Sequence, residues 1–282
     1  MNENHIGILH PGQMGISVAA SAQKGGRGVF WASEARSPQT RQRAERFGLQ
    51  EVSSLAELCQ KCGVLISVCP PHAAEDVADQ VLAQSFTGLY VDANAISPQR
   101  VERIAAAMGT AGVDFVDGGI IGGPAWQPGT THLYLSGPQA ERVAACFSAG
   151  PLGVQVIGDE IGRASALKMC YAAYTKGSTA LLCTILAAAE ALQVRQELEN
   201  EWLDFGPDFT EQTHNRARRV TAKAWRFAGE MEEIAATFQS VGLPGGFHLA
   251  AADIYNRLAG FKGAETPELE EVLASLLGNH RG

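Results

Sequence analysis

Gly12 and Gly15 stand three residues apart after a short apolar run, and this spacing indicates a turn that binds phosphate. In the pattern G-x-G-x-x-G, the second glycine lets the backbone approach a pyrophosphate and the third lets a helix pack closely on a strand. His10 stands in place of the first glycine. A helical pattern follows, and its first N–H groups would point at the anion. The predicted dinucleotide contacts are His10, Pro11, Gly12, Gln13 and Met14, and an ordinary strand–turn–helix is the alternative.

Lys168 is a second residue that could do chemistry, because it lies in a stretch rich in alanine and leucine. Tyr171, Thr175 and Thr179 follow it at offsets that return to about the same helical face, which gives a polar stripe on an apolar helix. Close to a nicotinamide, the ammonium could act as general acid in reduction or as general base in oxidation. The alternative is a lysine that extends to solvent near the start of the helix.

Strand-like and helical segments alternate through the first half of the chain, which predicts an α/β fold with a doubly wound, mostly parallel sheet. The predicted strands are residues 4–10, 28–33, 64–69, 89–93, 113–117, 131–136 and 154–157. The predicted helices between them are residues 40–47, 73–84 and 98–108. Beyond Gly158 the pattern is helical. We therefore predict a dinucleotide-binding Rossmann domain over residues 1–160 and an all-α domain over residues 161–282.

Composition excludes several classes of protein. The 282 residues hold 22 Lys and Arg against 30 Asp and Glu, so the net charge of -8 speaks against nucleic acid or an anionic membrane as a partner. The apolar run at 177–189 is too short to span a bilayer, and the start of the chain lacks the pattern of a secretory signal. Six cysteines form no disulfide framework, and the pair Cys59 and Cys62 stands alone, so no metal site is expected. A cytoplasmic location is the simplest expectation.

Four segments together resemble the β-hydroxyacid dehydrogenase superfamily, which includes 6-phosphogluconate dehydrogenase and hydroxyisobutyrate dehydrogenase. They are residues 6–15, 91–98, 115–123 and 162–168, in that order along the chain. Residues 164–177 and 229–237 further resemble a subgroup of phosphogluconate-dehydrogenase-like oxidoreductases. The resemblance implies hydride transfer to or from NAD(P), Lys168 as the catalytic lysine, and a helical domain that often builds a homodimer.

The cofactor preference depends on the residues after the second strand. Arg36 and Ser37 could bind a 2′-phosphate, and Arg41 and Arg43 add positive charge on the next helix, so NADP is favoured over NAD. Glu34 could instead bind a 2′-OH, which would favour NAD. The remaining predicted cofactor contacts are Ser33 at the strand end, and Cys69, Pro70 and Asn94, which match the family's loops beside the cofactor.

The family's substrate contacts correspond here to residues that differ from its pattern. Ile121 replaces a serine, Ala172 replaces an asparagine, and Glu232-Glu233 fall where the family has a Lys-Asp pair. We expect residues 117–123 to be a flexible loop or a sharp chain reversal. The predicted substrate contacts are Ile121, Gly122, Gly123, Tyr171, Ala172, Thr175, Trp225 and Glu230.

These residues predict an NAD(P)-dependent oxidoreductase that acts on a small hydroxy or keto substrate. Two alternatives stay open. The same scaffold could reduce an imine, with Tyr171 or Tyr174 as the proton donor. Alternatively, the protein could be an NADP-binding sensor without turnover, although such a sensor has no evident need for Lys168.

Overall fold

The computed structural model describes residues 2–278, and its first half is built on one eight-stranded sheet. The strand order is β3-β2-β1-β4-β5-β6-β7-β8. The strands are β1 (Asn2–Ile8), β2 (Gly28–Ala32), β3 (Gln50–Val52), β4 (Cys62–Ser67), β5 (Leu89–Asp92), β6 (Asp114–Gly122), β7 (Thr131–Ser136) and β8 (Gly153–Val156). The first six strands are parallel, β7 is antiparallel to β6, and β8 runs parallel to β7. This order of the six parallel strands is that of a Rossmann sheet.

Helices cover this sheet, and the strands are accordingly buried on both faces. The helices are α1 (Gln13–Lys24), α2 (Pro38–Arg46), α3 (Leu55–Lys61), α4 (Ala74–Leu82), α5 (Pro98–Thr110) and α6 (Ala140–Ala144). Consecutive strand residues enter different hydrophobic clusters: Trp31 and Val91 belong to one, Phe30 and Tyr90 to the other. This alternation explains why the strands read as continuous apolar runs.

The remaining helices form a second compact unit. They are α7 (Arg163–Ala191), α8 (Arg195–Glu201), α9 (Phe209–Ser240), α10 (Gly246–Arg257) and α11 (Leu269–Leu276). The helices α10 and α11 both pack on α9, around a core that includes Met231, Ile234, Tyr255 and Val272. The chain divides into its two units between Met169 and Cys170, inside α7 and somewhat after the boundary that we predict near residue 160. Within residues 2–278, no helix is both long enough and apolar enough to cross a membrane.

The predicted fold class is confirmed: an α/β Rossmann unit precedes helical structure. Some details differ from the sequence prediction, among them the short helix α6 and the ends of several strands. The short edge strand β3 and the helix α3 were not predicted, because each has too few residues to show a clear period. Residues 117–122, predicted as a loop, continue β6, because Gly118–Gly122 pair with β7 in an antiparallel ladder.

Candidate cofactor cleft and lysine site

The glycine turn connects β1 to α1 and leaves the start of α1 open. Gly12 is the residue that precedes α1, and no side chain caps the helix at this position within residues 2–278. A β-carbon built on Gly12 would have no described heavy atom within 4 Å apart from those of Gly12 and its two chain neighbours. An anion can therefore approach both the backbone of Gly12 and the first N–H groups of α1. This cradle fits the pyrophosphate of a dinucleotide.

Gly15 and His10 show how the turn is closed. A β-carbon at Gly15 would collide with the carbonyl oxygen of His10, so only glycine allows α1 to lie this close to the turn. The same carbonyl accepts a hydrogen bond from the N–H of Gly12 at 2.8 Å. His10 is not among the described residues with positive φ, so its backbone conformation does not require glycine. The turn can therefore form with His10 at the position of the first glycine.

His10 and Arg36 lie close together beside the turn. Nη2 of Arg36 donates to the carbonyl oxygen of Leu9 at 3.1 Å. Burial, together with the nearby Arg36 guanidinium, lowers the pKa of His10 to about 4, so the ring is neutral at pH 7. Nδ1 of His10 and Nε of Arg36 are both buried and have no hydrogen-bond partner among residues 2–278. Two polar side chains from different loops therefore meet at the cradle, and each has an unused polar atom.

The other residues after β2 are held by backbone contacts. The carbonyl oxygen of Ser33 accepts from Nη2 of Arg41 at 2.6 Å, while Arg43 donates to the carbonyl oxygen of Pro11 at 3.2 Å. Ser37 precedes α2, and its hydroxyl accepts from the N–H of Thr40 at 3.3 Å, so this side chain caps the helix. Three arginines therefore gather around the ends of β1 and β2.

Asn94 joins the loops that follow β4 and β5. Its Oδ1 accepts from the N–H of Cys69 at 2.6 Å, and its Nδ2 donates to Ser67 Oγ at 3.1 Å and to Asp92 Oδ2 at 3.0 Å. Burial raises the pKa of Asp92 to about 7, and the neighbouring Asp117 acts in the same direction. Since these hydrogen bonds engage both ends of the Asn94 amide, its side chain links the two loops at the carboxyl ends of β4 and β5.

Cys69 and Pro70 follow directly after β4. Burial raises the pKa of the Cys69 thiol to about 12, so the thiolate needed for nucleophilic chemistry is scarce at pH 7. Pro70 is exposed at the carboxyl edge. Within residues 2–278, no group of three or more histidine, cysteine or acidic side chains could hold a metal ion. The Cys69 thiol is therefore poorly suited to act as a nucleophile.

Lys168 lies in the second turn of α7, which packs against β6. A β-carbon built on Gly119 would lie 3.2 Å from Cβ of Lys168 and 2.5 Å from the carbonyl oxygen of Ala164. The close packing of α7 on β6 therefore depends on glycine at this position. The lysine is half-buried.

Asp117, which the sequence analysis did not assign to the site, anchors the start of α7. Its Oδ1 accepts from Ser165 Oγ at 2.6 Å. Its Oδ2 accepts from the N–H groups of Gly162 and Ser165, both at 3.0 Å, and from Ser136 Oγ at 3.1 Å. Burial raises the pKa of Asp117 above its ordinary value, against the effect of these donors. The carboxyl group precedes the helix by more than forty residues, so no local capping pattern could reveal it.

Strand register places the cradle and the lysine at the same edge of the sheet. Ile8, the last residue of β1, pairs with Ile66, and the next residue of β4, Ser67, pairs with Asp92. Asp92 in turn pairs with Asp117. Gly119, which packs against Lys168, follows Asp117 by two residues. It therefore lies just beyond the carboxyl edge of the sheet, the edge at which the glycine turn begins. In a Rossmann sheet, this edge is the one that binds ligands.

The three predicted substrate contacts near the end of β6 belong to a hairpin. Ile121 and Gly122 pair with His132 and Thr131. Gly122 has a φ of +117°, and a β-carbon there would collide with the carbonyl oxygen of Thr130. The exposed Gly123 accepts from Thr131 Oγ1 at 2.7 Å through its carbonyl oxygen. The predicted flexible loop is wrong for residues 117–122, because this ladder fixes the backbone.

The other predicted substrate contacts lie in the helical unit. Tyr171 is 46% exposed and Ala172 is buried, while Thr175 Oγ1 donates to the carbonyl oxygen of Tyr171 at 3.2 Å. Trp225 is partly exposed, and Nζ of Lys262 lies 3.9 Å from its ring centroid. Glu230 is buried and forms an ion pair with Lys176 at 2.6 Å.

The two neighbouring acidic residues of α9 differ in burial. Glu232 is exposed, whereas Glu233 is only 8% exposed. Of this pair, Glu232 therefore faces solvent, whereas Glu233 is packed inside the helical unit.

Two family models match the chain. The NAD binding domain of 6-phosphogluconate dehydrogenase matches residues 5–149, just over half of the chain, and a domain of unknown function, DUF1932, matches residues 189–258. The chain belongs to the family with this NAD-binding domain. The membership that the four sequence segments predict is thereby confirmed.

Similar proteins extend the match over most of the chain. An uncharacterised 28.5 kDa protein of the 7S RNA 5′ region in Methanothermus fervidus is 30% identical over 163 residues, which cover 58% of this chain and 62% of that relative. A conserved protein of unknown function, described as structurally similar to 3-hydroxyacid dehydrogenases, is 28% identical, with a TM-score of 0.66 over 90% of this chain and 97% of its own. The 3-hydroxyisobutyrate dehydrogenase of Mycobacterium tuberculosis, solved with L-serine, shares the fold at 18% identity, with a TM-score of 0.71 over 98% of this chain and 99% of its own.

Proposed function

We propose that this protein is an NADP-dependent oxidoreductase that interconverts a small hydroxy compound and its keto form. The observation that carries the proposal is the shared position of the glycine cradle and the lysine-bearing start of α7 at the carboxyl edge of the sheet. Gly12 and the first N–H groups of α1 would hold the pyrophosphate. When bound, the nicotinamide supplies or accepts the hydride.

The chain's own part in the chemistry falls to Lys168. In the reductive direction, its Nζ donates a proton to the substrate oxygen, and in the oxidative direction it takes that proton back. The hydrogen bonds to Asp117 and the contact with Gly119 hold the start of α7 in place. The backbone from which the Lys168 side chain extends is therefore fixed. A sensor without turnover would have no use for such a fixed ammonium.

NADP is the proposed cofactor because Arg36 lies against the turn and has an unused Nε within the described residues. A guanidinium can bind a 2′-phosphate with charge-assisted hydrogen bonds. Glu34 is exposed, which is compatible with a side chain directed away from a ribose diol.

A substrate screen tests this proposal. NADPH and NADH oxidation would be followed with small ketoacids, aldehydes and cyclic imines, and NADP⁺ and NAD⁺ reduction with the matching hydroxy compounds. We expect turnover with a keto or hydroxy compound. Turnover with imines alone would select the imine reductase alternative, and cofactor binding without turnover on any of these compounds would favour the sensor.

The cofactor preference has its own test in Arg36→Ala. We expect NADPH binding to weaken by about tenfold or more, and NADH binding to change only slightly, since the lost charge-assisted bonds serve the 2′-phosphate alone. Fluorescence titration measures both dissociation constants. Arg46→Ala, which removes an exposed guanidinium from α2, is the matched control. Equal losses for both cofactors in Arg36→Ala would contradict the preference for NADP.

A further inference from the structure

A group of side chains on α9 carries more positive than negative charge. Lys223, Arg226, Phe227 and Glu230 are spaced by three and four residues, so they share one face of the helix. Lys176, from α7, lies against this face within the same helical unit. We call these five residues the α9 cation cluster.

Phe227 and Glu230 fix the geometry of the cluster. Nζ of Lys176 lies 2.6 Å from Oε2 of Glu230 and 4.9 Å from the ring centroid of Phe227. Cζ of Arg226 lies 5.6 Å from the same centroid. The ring of Tyr255 packs edge-on against Phe227 at 5.5 Å, and its hydroxyl donates to the carbonyl oxygen of Lys176 at 2.7 Å. The two cations are therefore held on one rigid aromatic side chain.

The charges of the cluster are unequal, because three cations face the carboxylate of Glu230, and Glu233 follows one turn later on the same side of α9. Partial burial lowers the pKa of Lys223, and the nearby Arg226 and Lys176 lower it further, while Glu230 opposes the shift. Nε of Arg226 is buried and lacks a hydrogen-bond acceptor anywhere in residues 2–278. A local excess of positive charge in a chain of net charge -8, with a buried donor still unused, is typical of a site for an anion.

We propose that the α9 cation cluster binds an anionic oxygen group, a carboxylate or a phosphate, of a small ligand. Lys176 is held by Glu230, which leaves Lys223 and Arg226 as the donors to the anion. Binding of an anion at this cluster is independent of hydride transfer at the carboxyl edge of the sheet. The proposed donors Lys223 and Arg226 are different residues from the Glu232-Glu233 pair, where the family resemblance implies a cation.

Calorimetric titration of the full chain with inorganic phosphate and with malonate tests the proposal. We expect the wild type to bind at least one of the two anions, and Arg226→Gln and Lys223→Gln each to weaken that binding by about tenfold. Tighter binding of phosphate would identify a phosphate ester as the ligand class, and tighter binding of malonate a carboxylate. Either result supports the site.

Two controls keep the test independent of other sites and of folding. Arg46→Gln removes a guanidinium that also lies over a phenylalanine ring, at 5.8 Å from Phe47, but in the Rossmann unit, and it should bind both anions as the wild type does. Lys223 is more exposed than Arg226, so its variant should keep the melting temperature of the wild type. Phosphate bound at the glycine turn would persist in both α9 variants. Wild-type affinity for both anions in these variants, or no binding to the wild type, would overturn the proposal.

Discussion

At the scale of single residues, two glycines of one turn are needed for different reasons. The β-carbon position of Gly12 is open to at least 4 Å among the described atoms, whereas that of Gly15 is occupied by the carbonyl oxygen of His10. The first glycine leaves space for a ligand, and the second allows the helix to pack. This difference separates binding from folding in an experiment.

We predict that Gly12→Ala keeps the stability of the wild type but weakens cofactor binding by about tenfold, because the new methyl group enters the cradle. Gly15→Ala should instead lower the melting temperature, because the helix must move away from His10. Thermal unfolding and fluorescence titration of both variants check these results. A stable Gly15→Ala protein, or a Gly12→Ala protein with unchanged affinity, would contradict this account.

The local parts of the site could be predicted from sequence, and the long-range parts could not. The glycine turn is recognisable from the spacing of Gly12 and Gly15, and the polar face of the helix that carries Lys168 from the spacing of Lys168, Tyr171 and Thr175. Asp117 could not be recognised, because its partners Ser136, Gly162 and Ser165 are distant in sequence and meet only in the folded sheet. The hydrogen bonds of the Asn94 side chain likewise depend on the pairing of β4 with β5.

At the scale of elements, the start of α7 depends on β6. Asp117 accepts two backbone N–H groups there, and negative charge at a helix start is favourable. Gly119 allows the close approach of the two elements. The alternation of strands and helices predicted the sheet, but the length of β6 depends on its ladder with β7, which no single segment encodes.

We predict that Asp117→Asn lowers the free energy of unfolding by about 3 kcal/mol, because a buried acceptor of four donors loses part of its capacity. Turnover should fall while the dissociation constant of the cofactor stays close to that of the wild type. Denaturant unfolding and steady-state kinetics measure the two effects. Asp114→Asn, on the same strand but exposed, is the control and should change neither. Unchanged turnover in Asp117→Asn would remove its role in positioning Lys168.

At the scale of the whole molecule, we propose that the protein is a homodimer formed through its helical unit. Tyr174 and Leu181 are 75% and 46% exposed and lie seven residues apart on α7, so they share one face. Val241 and Leu243, just after α9, are 70% and 52% exposed. A second copy of the same unit could cover such apolar side chains in a two-fold arrangement.

Light scattering after size exclusion tests this proposal. The wild type should have the mass of a dimer, and Leu181→Arg should shift the mass toward that of a monomer, because a charge buried at an apolar interface is unfavourable. Trp126→Arg places the same charge at an equally exposed apolar position, 46%, in the Rossmann unit and should stay dimeric. A monomeric wild type, or a fully dimeric Leu181→Arg variant, would contradict the proposal.

The central claim is that Lys168 transfers the proton that accompanies hydride transfer, and Lys168→Ala tests it most directly. Turnover of the substrate found in the screen would be compared with the dissociation constant of NADPH for the same variant. We predict that turnover falls by about a hundredfold to ten-thousandfold, as expected for loss of a general acid or base. The dissociation constant should stay within about threefold of the wild type, because the cradle is untouched. Wild-type turnover in Lys168→Ala would contradict the claim.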